Sequence, residues 1–324
     1  MIPAGELDPA PKKPVEDESL AAHPVRRSAG LVVPDAGRKS AAGDVVRHAI
    51  ALSVLRLLDN DPGVRLGADP EELHEARVAT RRLRSDLRTF APLLDPGWTT
   101  ELREELRWLG GSLGRVRDAE VLADRIRRAA TGLPGPDRAE AEGLVATLEA
   151  ERERAREALL EAMRSGRYLA LLDCLVAASR EPALGPVATE PARSVLPGLV
   201  ARPWKRLRRD VRRLPPEPPD DALHRVRIRA KRARYATEAV APVLGKPARA
   251  LGRALAALQD VLGGHQDAVV AERWLRAEAA RTEPGRAFVA GLLAAGERRA
   301  AADSRARWNG VWESAVRVHR KGPW

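Results

Sequence analysis

An all-α fold of two pseudo-twofold-related antiparallel helical bundles is predicted by three features of this 324-residue sequence. Ala, Leu, Arg and Glu dominate while aromatics make up only 3%, so the intrinsic preference along most of the chain is helical. Apolar residues recur at helical spacing between stops rich in Pro and Gly. The second half of the chain also repeats the pattern of the first. A hydrophobic content of 44% is ample for a sizeable core.

Residues 1–42, with Pro3, Pro9, Pro11, Pro14 and Pro24, read as a disordered leader that lacks a signal-peptide core. An N-terminal half, residues 43–180, opens with a helix carrying Val45, Ile50, Leu52, Leu55 and Leu58, which Asp59-Asn60-Asp61-Pro62-Gly63 should stop. The second helix starts at Asp69-Pro70, a cap followed by a first-turn proline, and reaches about Leu94. A third runs from Thr99 or Thr100 to about Ala130, before Leu133-Pro134-Gly135-Pro136, and two more cover 137–164 and 167–179. Pro182, Gly185, Pro186 and Pro191 mark the boundary between halves. The C-terminal half, residues 192–320, should hold helices at 192–213, 220–243, 247–279, 284–302 and 303–320.

Leu73-His74 recurs as Leu223-His224, and with the same offset Arg77 matches Arg227, Val78 Ile228, Arg81 Lys231, Arg82 Arg232 and Arg84 Arg234. After a one-residue slip, Leu106, Leu109, Leu113, Gly114, Asp118 and Val121 match Leu255, Leu258, Leu262, Gly263, Asp267 and Val270. Such a repeat is the signature of two similar bundles.

Lys plus Arg number 56 against 45 Asp plus Glu, a net charge of +11, which points to a polyanion: nucleic acid, a phosphate polymer or an acidic membrane surface. On an ideal helix His74, Arg77, Arg81, Arg84 and Arg88 fall within roughly 80° of one another, opposite Leu73, Ala76, Leu83, Leu87 and Phe90. His224, Arg227, Lys231 and Arg234 repeat the stripe, whose last position is Glu238 where the first copy has Arg88. A charge run is usually a solvated surface. Like pairs at i,i+4, however, cost a few tenths of a kcal/mol each, and an anion held by both stripes would offset that cost. Arginine suits phosphate through its planar fork and permanent charge. The histidines should be held neutral by the neighbouring cations and act as auxiliary donors.

Asp118 and Asp267, each four residues after a glycine, read as packing sites where the carboxylate meets an arginine of the stripe, while Arg117 reaches the cleft. The basic run Arg202, Lys205, Arg206, Arg209, Arg212 and Arg213 is either an extension of the cationic surface or solvated. The Gly-Lys-Ser/Thr phosphate loop and the paired histidines of a zinc-protease helix are absent from the sequence, so neither catalysis nor a cofactor is expected. His265-Gln266-Asp267 is a poor metal candidate, since Val116 stands at the matching place in the first copy. Cys174, the single cysteine, reads as a core filler in a cytoplasmic protein. The longest apolar run, Ala287 to Ala295, falls well short of the roughly 18 residues that span a bilayer, so no membrane partner is expected. Trp308, Trp312 and Trp324 should pack or dangle, and the stripes carry no interleaved aromatics for base stacking, which weakens a single-strand-binding reading.

The stretch His74 to Phe90 closely resembles the signature of the CHAD family of conserved-histidine α-helical domains, and Leu223 to Tyr235 is similar to that family's C-terminal motif. Leu113-Gly114 with Arg117-Asp118, and Leu262-Gly263 with Asp267, resemble its other recurring elements. The resemblance covers about residues 43–320. It implies a non-catalytic module that binds inorganic polyphosphate in a basic cavity and associates with polyphosphate granules and their proteins. The residues it places there are His74, Arg77, Arg81, Arg82, Arg84, Arg88, Arg117, His224, Arg227, Lys231, Arg232 and Arg234. A nucleic-acid- or nucleotide-binding helical protein is the alternative.

Overall fold

The computed structural model describes residues 30–324, and the helices α1 to α10 account for most of them. In the first half these are α1 (Ala42–Leu66), α2 (Pro70–Thr89), α3 (Pro96–Ala130), α4 (Gly135–Arg164) and α5 (Gly166–Arg180). The second half contains α6 (Ala192–Arg212), α7 (Asp220–Ala239), the single turn α8 (Ala241–Leu244), α9 (Lys246–Ala279) and α10 (Pro284–His319). None of these helices is long and apolar enough to cross a membrane.

Neighbouring helices pair in the same order in both halves. α2 packs between α1 and α3, as α7 packs between α6 and α9, and the long hairpins α3–α4 and α9–α10 follow. A 3-10 turn at Ala91–Leu93 after α2 is matched by α8 after α7. Pro92 and Pro242 explain both breaks, because each removes an amide that a continuing helix would need. The expected extensions to about Leu94 and residue 243 are therefore each divided in two.

Three boundaries differ from expectation for identifiable reasons. α1 continues through Asp61-Pro62-Gly63 and ends where Gly67, at φ 69°, donates to the Gly63 carbonyl at 2.7 Å. Arg156 of α4 donates to the Val64 and Arg65 carbonyls, both at 3.1 Å, and so supplies acceptor partners that the turn composition did not reveal. α3 starts at Pro96 because Asp95 accepts from the Trp98 amide at 2.8 Å. The two helices expected at 284–302 and 303–320 are the single helix α10, since no glycine or proline interrupts Ala300 to Ser304.

Of the expected leader, residues 1–29 lie outside the described residues. The remainder is a correction: Leu31 is buried, His48 Nδ1 donates to the Pro34 carbonyl at 2.8 Å, and Ala41 bridges to Pro191. The Pro-rich boundary packs as well. Asp95 N–H donates to Ala183 O and Gly185 N–H to Leu93 O, each at 2.9 Å, beside a Leu94–Leu184 bridge. Its backbone thus lies against the turn that follows α2 in the first half.

One core runs through both halves. Leu83, Leu87 and Leu106 of the first share a continuous apolar cluster with Leu223, Leu251 and Leu255 of the second. A second cluster locks the hairpins together through Ile126, Leu144 and Leu148 on one side and Leu275, Val289 and Leu293 on the other. Cys174 is exposed rather than buried. It sits on the flank of α5, well round the helix from the centre of the face formed by Tyr168, Leu171, Leu175 and Ala178.

Leu83 is fully buried on the back of α2. Leu83→Ala should lower unfolding stability by about 2–5 kcal/mol through lost transfer energy and a residual cavity, measured by urea denaturation.

Candidate functional site

α2 is fixed as a helix by Asp69, which accepts from the Glu71 amide at 2.8 Å, and by Pro70 in the first turn. Leu73, Ala76, Ala79, Leu83 and Leu87 bury one side, leaving the cations on the other. α7 opens with Asp220 and Asp221, favourable at the positive end of the helix dipole, and buries Leu223, Val226, Ala230 and Ala233. The two helices pack directly against each other. This contact brings the two cationic stripes together.

At the centre lie Arg77 and Arg81 from α2 with Arg227 and Lys231 from α7. Burial lowers the Arg77 pKa, and Arg81, Arg117 and Arg227 push the same way against the opposing Asp118. Lys231 is driven down to about 7, first by burial and then by Arg227, Arg81 and Arg77, with Asp267 a weak counterweight. An ammonium so perturbed reports like charges that crowd it from both halves. His74 is also held low, mainly by burial and then by Arg117, in line with a neutral imidazole. His224 Nδ1 donates to Gln266 Oε1 at 2.6 Å, which fixes the ring and leaves Nε2 available.

Matched glycines give the central arginines room. Arg77 Nε lies 3.8 Å from where a Cβ on Gly114 would stand, and Arg227 Nε has the same 3.8 Å relation to Gly263. Asp118 accepts from Arg77 Nη2 at 2.7 Å, the pairing expected from the sequence. The Nε groups of Arg81, Arg117, Arg227 and Arg232 are buried without a hydrogen-bond partner. Such donors are uncommon in folded proteins and point to an anion or ordered water that completes them.

Towards the C-terminal end of α2 the stripe continues with Arg84 and Arg88. Burial lowers Arg84, with Arg107 and Arg103 of α3 adding to the effect. Arg88 falls to about 10 through burial, Arg232, Arg103, Arg84 and Arg107. Arg232 is lowered by burial and then by Arg229, Arg206 and Arg103. The sequence reading did not single out Arg103 and Arg107, because Glu101, Glu104 and Glu105 disguise them as part of an ordinary mixed surface. Their i,i+4 spacing was the available signal.

Arg82 occupies a different environment from the stripe. It is hydrogen-bonded to Glu238 of α7, stands 3.4 Å from Asp86, and its guanidinium lies 5.5 Å from the Tyr235 ring centre. Glu238 also accepts from Arg234 Nε at 2.6 Å, so this acid, standing where the first copy has Arg88, is shared between one arginine from each half. Burial raises Asp86 to about 7 despite Arg82. The structure thus assigns Arg82 to an internal ionic network and leaves Arg234 only partly free.

Glu71, His74 and Glu75 bring one potential metal-ligand atom each within 4.8 Å of one another, but Glu75 also pairs with Arg56 at 3.4 Å. His265, Gln266 and Asp267 diverge: His265 Nε2 meets Asp220 at 3.1 Å, Gln266 holds His224, and Asp267 is exposed. They form no common ligand set.

The CHAD domain family model matches residues 48–276. Two uncharacterized proteins of Mycobacterium tuberculosis, strains CDC 1551 / Oshkosh and H37Rv, are each 33% identical over 265 residues, covering 77% of this chain and 49% of theirs. The chain spans about half the length of these curated relatives. Among solved structures, PptA from Streptomyces chartreusis is similar with a TM-score of 0.69 and 28% identity, covering 85% of this chain and all of that one. The CHAD domain from the plant Ricinus communis gives a TM-score of 0.68 and 28% identity, covering 87% of this chain and 95% of that one.

The Arg82–Glu238 contact crosses between halves with both side chains only 27% exposed. Glu238→Leu should cost about 1–3 kcal/mol, below the full penalty of a deeply buried unpaired charge. Arg82→Met in the same chain should recover part of that loss, which a double-mutant cycle in urea measures.

Proposed function

The chain belongs to the CHAD domain family, and on that premise we propose that it binds inorganic polyphosphate as a non-catalytic scaffold associated with polyphosphate granules. The observation that carries this reading is the convergence of half-buried Arg77, Arg81, Arg227 and Lys231, with the Nε donors of Arg81 and Arg227 unsatisfied, between two halves of the molecule. Their mutual repulsion favours any ligand that supplies regularly spaced negative charge. Polyphosphate does so without bases or sugars that need aromatic platforms. Tyr235, next to Arg234 on α7, is buried, with the Arg81 and Arg82 guanidinium groups over its ring, and so is not exposed to stack on a base. Forked hydrogen bonds from arginine to phosphate oxygens would satisfy the orphan Nε groups. His74, held neutral, would assist as a donor to phosphate oxygens, His224 would do so through Nε2 where that nitrogen carries a proton, and Arg117 would stand beside them while paired with Glu120 at 3.1 Å.

Charge reversal at Arg77 and Lys231 together should weaken binding of long-chain polyphosphate by about a hundredfold or more, since each charge-assisted bond contributes roughly 1.5–3 kcal/mol. Calorimetric titration gives the affinity, and circular dichroism should show unchanged helicity. Duplex DNA that displaces polyphosphate at equal phosphate concentration would favour the nucleic-acid alternative instead.

Binding should also respond to pH through Lys231. A phosphate beside the ammonium raises its pKa, so from about pH 7 upward binding must take up a proton and affinity should fall by up to about tenfold per pH unit. Lys231→Arg keeps the charge and should flatten this profile. An unchanged slope in the variant would show that Lys231 does not contact the ligand.

A further inference from the structure

The cations of the site fall into two groups along α2. Arg77 and Arg81 form the first with Arg227 and Lys231. The second begins one turn further on with Arg84 and Arg88, and Arg77 and Arg88 are separated by roughly 16 Å along the helix axis. Between the groups in sequence lies Arg82, already neutralised by Glu238.

The second group is assembled by packing contacts that the stripe alone does not include. Arg84 Nη1 lies 3.6 Å from where a Cβ on Gly110 would stand, so its guanidinium rests on α3 about one turn from Arg107, itself one turn from Arg103. On the other side, Arg229 Nε donates to Asp210 Oδ2 at 2.7 Å and locks α7 to α6. Arg232 is three residues beyond Arg229, and Arg206 is one turn before Asp210, so the same bridge sets these two arginines side by side. Among the described residues Arg84, Arg88, Arg103, Arg206 and Arg232 have no acidic partner within ion-pair distance, and Arg107 has only an exposed one, Glu104 at 3.9 Å. The depressed pKa values of Arg84, Arg88 and Arg232 agree with this crowding.

We infer that Arg103 and Arg107 of α3 and Arg206 of α6, gathered round Arg84, Arg88 and Arg232, form a second phosphate-binding station that takes the continuation of a chain lying on Arg77, Arg81, Arg227 and Lys231. This rests on the polyphosphate reading and gives it a length dependence. A short polyphosphate occupies the central station alone. A longer one reaches both, and the second engagement is intramolecular, so affinity rises without any new surface on the central station. The exposed basic face of α6 thereby becomes part of the binding surface at Arg206.

The test compares tripolyphosphate with long-chain polyphosphate on the wild-type chain and on the Arg103→Glu, Arg107→Glu, Arg206→Glu triple variant. Long-chain affinity should fall at least about tenfold in the variant, and the slope of log affinity against log salt should shrink by roughly 2, as expected when two to three phosphate contacts are lost. Tripolyphosphate affinity should change by less than about twofold. Equal losses for both ligands, or an unchanged long-chain affinity and slope, would overturn the inference. If the triple reversal alters the circular dichroism spectrum, the corresponding Gln variant should give the same ordering of losses. Failure of the wild-type chain to bind either polyphosphate would instead remove the functional reading, and the second station with it.

Discussion

The structure depends on holding two like-charged helices against each other. α2 and α7 each turn a cationic face toward their common boundary, and the price of that arrangement is visible in Lys231, whose ammonium is barely stable at neutral pH. What opposes the repulsion lies behind the helices. Leu73, Leu83 and Leu87 on one, and Leu223 and Val226 on the other, are anchored in an apolar cluster that neither half completes alone. Burial of this kind is non-directional and large in sum, whereas the repulsion among partly hydrated guanidinium groups is modest per pair. The balance allows a charged centre to survive inside an otherwise ordinary helical core.

Glu238 has a second part in this balance. Perfect repetition would place a fourth cation there, the counterpart of Arg88. Instead a single carboxylate receives Arg82 from one half and Arg234 from the other, so the two stripes end differently and the pseudo-symmetry is broken where charge would otherwise be greatest. The network is a local island of reduced positive charge. On either side of it Arg81, Arg88 and Arg232 have no acidic partner within ion-pair distance among the described residues.

Much of this was legible in the sequence because the relevant signals are local. The 3.6-residue period, the Asp69-Pro70 start and the paired Leu-His motifs specify α2 and α7 without knowledge of their neighbours. The pairing of Asp118 with the stripe was expected from its place four residues after Gly114, but its match Asp267 makes no ion pair with a stripe arginine. What remained hidden required contacts across long separations. Pro62 and Gly63 suggested a stop, yet Arg156 satisfies the carbonyls beyond them. Arg82 lies about 100° round α2 from Arg81, off the stripe, and the approach of Glu238 across the boundary gives it its partner there. Arg103 and Arg107 were masked by adjacent glutamates until packing showed which of those charges face the stripe.

The crowded centre also sets the terms on which this protein can evolve. Replacing Lys231 or Arg81 by a neutral residue would relieve repulsion and desolvation at once, so selection for thermal robustness alone would tend to erase the site. The proposed anion would offset that cost. In its absence, small uncharged side chains at these positions would leave the scaffold behind them intact and more stable.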